Sequence, residues 1–142
     1  MSMGELTVPA HQEQLKRVQD FVEEQIKTRL SPRITQHILL ATEEVFINIA
    51  RYAYPQGEGT ADIVCTVGDS GIELTFMDEG IAYNPLTQEK PDTTLPADAR
   101  PVGGLGIYLA RELMDQMTYR YENGRNILCM CKGYGSRSNT VK

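Results

Sequence analysis

The chain contains no tryptophan, only three phenylalanines, two histidines and three cysteines in 142 residues. Two histidines, His11 and His37, leave almost no material for a zinc site of the usual kind. The cysteines, Cys65, Cys129 and Cys131, are odd in number, and no disulfide framework is expected. No apolar stretch approaches the ~20 residues that span a bilayer. The opening segment MSMGELTVPAHQEQ lacks an apolar core and does not read as a signal peptide. Basic charge is also short: 14 Lys and Arg face 19 Asp and Glu, a net charge of −5. A binder of nucleic-acid backbones needs a basic face and is not expected. A nucleotide site, which needs only a few local groups, is not excluded.

What remains is an ordinary globular composition, 41% hydrophobic and 23% charged, of a length for one domain. Residues 3–8 read as a strand. Residues 10–29 place Leu15, Val18, Val22 and Ile26 at helical spacing. Ser31 before Pro32 is an N-cap with proline in the first turn, opening a helix that should reach Tyr54 and stop before Pro55. Strands follow at 61–68 and 72–78, turned by Asp69-Ser70-Gly71. Residues 105–117 read as a helix, and 118–122 and 126–132 as strands joined by Asn123-Gly124. The order predicts an α+β fold: a two-layer α/β sandwich with a mixed, mostly antiparallel sheet and helices on one face. Residues 134–142 should fray. Cys129 and Cys131 share one face of their strand and could ligate a metal, but the apolar run NILCMC reads first as core.

Three clusters carry chemistry. On the long helix Ile34, Ile38, Ala41, Val45 and Tyr52 form an inward stripe at ~100° per residue. Glu44 and Asn48, four apart, stack beside it, whereas Glu43 points away as a solvated carboxylate. A carboxylate and a carboxamide so placed can reach one hydrated cation and one hydroxyl or water. Asp78-Glu79-Gly80 ends a strand; its carboxylate, half buried, can accept from an exocyclic amine, and Gly80 permits positive φ beside a flat ring. Gly103-Gly104-Leu105-Gly106 opens a helix, where backbone N–H groups and the dipole make an anion site. It lacks the lysine and spacing of a Walker A loop.

In this order, with the phrases ATEEVFINIARYAYP, MDEGIAYNP and GGLGIYLARELMDQMTYRYENGRNIL, the sequence resembles the GHKL ATP-binding superfamily of gyrase, MutL and sensor histidine kinases. It is most similar to the stand-alone anti-sigma-factor serine kinase branch, and the resemblance covers residues 5–133. It implies the histidine-kinase-like ATPase fold, a single ATP-binding domain over 1–142, and ATP with Mg²⁺ as cofactors. It implies Glu44 as base, Asn48 as the magnesium holder and Asp78 with Gly80 at the adenine. It further implies Gly103, Gly104 and Gly106 over the phosphates. Where many members have a second glycine after Asp-x-Gly, this chain has Ala82. Arg51, on the flank of Glu44, can meet a phosphate or pair with Glu44. The resemblance implies a cytoplasmic serine/threonine protein kinase acting on an anti-sigma antagonist-like protein. A sigma factor is a possible second partner, and a homodimer a possible assembly. The alternative is a module that binds ATP or ADP and controls a partner without phosphorylating it.

Residues 82–102 hold Pro85, Pro91, Pro96 and Pro101 and no apolar periodicity, the pattern of a lid over the site. Lys90 and Arg100 are its cations. We expect amide hydrogen exchange across 82–102 to be fast in the free protein, slower with ADP and slowest with an ATP analogue. Equal exchange in all three would make the segment a linker.

Overall fold

The computed structural model describes residues 2–87 and 104–134. Most of the expected lid, Lys90, Arg100, Gly103 and the tail beyond Tyr134 lie outside the described residues. The elements are β1 (Ser2–Pro9), α1 (Leu15–Ile26), α2 (Pro32–Tyr52), β2 (Thr60–Val67), β3 (Gly71–Asp78), α3 (Gly104–Leu113), β4 (Gln116–Glu122) and β5 (Arg125–Gly133). Short 3-10 turns lie at Gln12–Gln14 and Pro85–Thr87.

Local chemistry starts and stops these elements. Ser31 holds extended backbone, its Oγ accepts from Ile34 N at 3.2 Å, and Pro32 follows at the first helical position. α2 closes at Tyr52, short of Pro55. α1 buries Val18, Val22 and Ile26, as their spacing requires. Alternate residues of β2 and β3 are buried, so helices cover one face of the sheet only. The strand order is β1-β2-β3-β5-β4, and all the pairings are antiparallel. This is the expected sandwich, and among the described residues no parallel pair enters it.

The core lies between that face and the helices. Ile63, Leu74, Phe76 and Met130 come up from the sheet to meet Val22, Ile38, Val45 and Phe46. Each such side chain contributes roughly 1.5–3 kcal/mol by leaving water. The buried face of α2 is wider than the stripe read from sequence. Thr35, Thr42 and Phe46 are buried, whereas Ile34 and Tyr52 are only half-buried. The helix is clamped by the sheet, α1 and α3 together, so more than one side of it is covered.

Three expectations are corrected. The helix expected to run to Met117 ends at Leu113. The Leu113 carbonyl accepts from Lys132 Nζ at 2.7 Å, and Asp115 N donates to Cys131 O at 2.9 Å, which turns the chain into β4. Met117 then faces Met130 across the ladder. Sheet register here overrides a helical pattern. Tyr134, placed in the frayed tail, is tied down: its hydroxyl donates to Gly68 O at 2.6 Å and its N–H to Ser70 O. Lastly, Cys129 and Cys131 are half-buried outside the core, while Cys65 is buried within it, its thiol pushed up to about 11 by burial.

The β4–β5 hairpin turns at Asn123 (φ 54°) and Gly124 (φ 76°), the backbone of a type I′ turn. A Cβ at Gly124 would meet no atom within 4 Å, so only the dihedral opposes a side chain. Gly124→Ala should therefore destabilise the protein by about 1 kcal/mol. Urea unfolding should show a lower midpoint at unchanged slope. An unmoved midpoint would refute the strain.

Candidate nucleotide site

Where the Asp78 end of β3 meets the second half of α2 and the start of α3, the structure holds a partly open pocket. Its walls are apolar (Val45, Ile49, Phe76, Ile107 and Leu128), and Asn48, Asp78 and Asn126 supply polar groups. The lining, apolar with a few polar groups, suits a flat organic ring with directional contacts at its edge.

Asp78 is more deeply placed than its sequence suggested, with 5% of its surface exposed. Antiparallel register sets it directly opposite Asn126. Asn126 Nδ2 and the Gly80 N–H each donate to Asp78 Oδ1 at 2.8 Å. Among the described residues both donors use Oδ1, which leaves Oδ2 to a ligand. Burial raises the Asp78 carboxyl above the ordinary carboxylate range; the Asn126 and Gly80 hydrogen bonds and the Arg125 charge pull it back down.

Asn126 is the pocket residue that reading the sequence missed. Its Nδ2 also donates to Ile81 O at 2.8 Å, and its Oδ1 accepts from Tyr83 N at 3.1 Å and from the Tyr119 hydroxyl. One amide thus joins β3, β4, β5 and the chain after Gly80. The signal was present: Asn126, Leu128 and Met130 share one strand face, and the last two are core. Tyr83 and Tyr119 line the cavity through this network, and the Tyr83 ring lies 6.1 Å from that of Tyr52.

Gly80 is required for a different reason than expected. Its φ is not positive; Gly124 is the only such glycine among the described residues. A Cβ at Gly80 would instead collide with the Ala53 carbonyl, and Ile81 N donates to that same oxygen at 2.9 Å. The glycine lets the turn after β3 seat on the end of α2. Tyr54 fastens it: its hydroxyl accepts from Glu79 N at 2.8 Å and donates to Thr60 O at 2.6 Å.

Asn48 lines the cavity and is buried, and no described residue hydrogen-bonds to its amide. One turn earlier, Glu44 points at α3: a Cβ at Gly106 would overlap Glu44 Oε1. The two therefore serve different walls, Asn48 the cavity and Glu44 the first turn of α3, which begins at Gly104. Burial raises the Glu44 carboxyl, the neighbouring charge of Glu43 raises it further, and Arg51 opposes both. Arg51 itself is exposed. Glu43 is not fully solvated as expected; it is half-buried beside a groove between α1 and α2.

The histidine kinase-like ATPase domain family matches residues 8–132. The serine-protein kinases RsbW of Bacillus mycoides, Bacillus cereus and Bacillus anthracis are each 29% identical over 93 residues, 63% of this chain and 58% of theirs. The match thus spans less than two thirds of those relatives. With the match extending over nearly all of the sheet and its helices, and with the cavity at the end of β3, the chain belongs to the histidine kinase-like ATPase domain family.

Proposed function

We propose that this protein is an ATP-dependent serine/threonine kinase of the anti-sigma-factor type, which phosphorylates a hydroxyl on a small anti-sigma antagonist-like protein. The observation that carries this reading is one pocket with Asp78 at its end, the Asn48 amide in its wall with no hydrogen-bond partner among the described residues, and Glu44 one turn away against α3. The names of the RsbW relatives support the serine-kinase class.

The residues fit Mg-ATP. Apolar walls suit the adenine, Asp78 Oδ2 suits its amino group, and the Asn48 carboxamide, with no partner among the described residues, suits a hydrated hard cation. The glycine-opened first turn of α3 offers N–H donors and a dipole to anionic oxygens. Bound Mg-ATP would supply the phosphoryl group and neutralise its charge. The chain's own part is positioning and proton handling. Asp78 and Asn126 fix the base, Asn48 holds the metal, and Gly104 and Gly106, with Gly103 before them, admit the phosphates to the helix start. Glu44 orients the attacking hydroxyl and takes its proton. Arg51, exposed on the same flank, moderates Glu44. A sigma factor as second partner and a homodimer complete the proposal.

Asp78→Asn should keep the fold, because an amide oxygen still accepts from Gly80 and Asn126. It then turns an N–H₂ toward the adenine amine. Affinity for an ATP analogue should fall about tenfold to a hundredfold by calorimetry, the ~1.5–3 kcal/mol of a charged hydrogen bond. Unchanged affinity would remove Asp78 from the site.

Glu44→Ala should lower phosphoryl transfer by roughly 10²-fold with little change in ATP affinity. The ionised form of Glu44 is the base, and its pKa is raised by burial and by Glu43. Activity should therefore fail on acidification sooner than with an ordinary glutamate. Glu43→Gln should shift that acid limb to lower pH and Arg51→Met to higher pH, each at an unchanged plateau. Labelled ATP with a candidate antagonist should yield acid-stable phosphoserine. Binding of the partner without label would favour the regulatory module that does not phosphorylate, and acid limbs that do not separate would remove Glu44 as the base.

A further inference from the structure

The sheet face turned away from the helices carries a side-chain cluster that the nucleotide cavity does not use. Cys129 and Cys131 stand two apart on β5, so both thiols leave on that face, while Leu128 and Met130 enter the core. Register sets Cys131 opposite Glu73 and Cys129 opposite Thr75 on β3. The sulfurs and a Glu73 carboxylate oxygen lie within 4.8 Å of one another, with Cys131 Sγ 3.9 Å from Glu73 Oε2. Tetrahedral ligands of one zinc, at Zn–S bonds of ~2.3 Å, stand ~3.8 Å apart. Small side-chain rotations close that difference, and the paired strands hold the three residues together beforehand.

From this geometry we propose that Cys129, Cys131 and Glu73 form a binding site for Zn²⁺ or a similar thiophilic divalent cation, separate from the nucleotide site. Two thiolates and one carboxylate balance the dication with one negative charge over. The fourth tetrahedral position faces solvent and takes a water. Sulfur ligands select against Mg²⁺, so the cation of the nucleotide site does not compete. A disulfide is the poorer use of the pair, since alternate strand residues are ~6.8 Å apart at Cα, the edge of the bridging range.

Binding exchanges two S–H protons for two S–Zn bonds and releases both protons. Without metal the thiols stay protonated: burial pushes Cys129 up to about 12, and burial with the Glu73 charge raises Cys131. Affinity should then rise about a hundredfold per pH unit through neutrality, one factor of ten for each proton released. The ion would pin β3 to β5, the two strands that carry Asp78 and Asn126 at their other end.

The test uses the reduced full chain with Zn²⁺ against a chromophoric chelator, and with Co²⁺ to read thiolate-to-metal charge-transfer absorption. One equivalent should bind, with the charge-transfer band, undisplaced by excess Mg²⁺. The double variant Cys129→Ser/Cys131→Ser should lose the band while keeping its thermal transition and ATP affinity. Glu73→Gln should weaken Zn²⁺ by about tenfold or more, at least the cost of losing an outer partner. Absence of the band in the native chain, its survival in the double variant, or affinity independent of pH would overturn the site.

Discussion

A carboxylate taken out of water costs several kcal/mol unless donors and charge meet it, and Asp78 is 95% removed from solvent at the end of a strand whose other inward residues are apolar. The neighbouring structure answers that demand. β5 runs antiparallel so that Asn126 falls opposite, Gly80 turns its N–H back onto Oδ1, and Tyr54 clips the turn to β2. Arg125 adds positive charge while bonded to Asp62 across the sheet. The remaining penalty, visible as the raised carboxyl, is what a donor from a ligand would relieve.

The long helix α2 ties this arrangement to the core. The same turns that bury Thr42, Val45 and Phe46 carry Glu44 and Asn48, and the same C-terminus that receives Gly80 is fixed by Ala53 and Tyr54. Packing thus sets the separation between the two walls of the site. The contact of Glu44 with Gly106 makes α3 part of that setting, because no side chain fits between them.

Much of this was legible in the chain itself, and for local reasons. Ser31-Pro32, Asn123-Gly124 and the alternation in 61–67 each act over a few residues, so their outcomes followed from composition and spacing. The Glu44–Asn48 and Asp78–Gly80 pairs were found the same way. Asn126 was not, because its meaning comes from a register with Asp78 that spans 48 positions. The end of α3 was misjudged for a related reason: Met114 and Met117 fit a helix well, and only the pairing of β4 with β5 takes Met117 away. Gly80 was rightly singled out, but the close approach of Ala53 that requires it is a tertiary fact.

The Asn126 amide has a further consequence. Turned over, it would set its N–H₂ against the Tyr83 N–H and its oxygen against both the Asp78 carboxylate and the Ile81 carbonyl. Each mismatch leaves buried groups unsatisfied, at ~1–3 kcal/mol apiece. The amide is therefore locked in one sense and has nothing left to offer a purine. It cannot adapt, and neither can the acceptor it holds. In the proposed site an amino group at the purine 6-position meets Asp78 as donor to acceptor, whereas the 6-oxo group of guanine meets it as acceptor to acceptor. Discrimination between ATP and GTP would then rest on Asp78, held in place by a side chain that never touches the nucleotide.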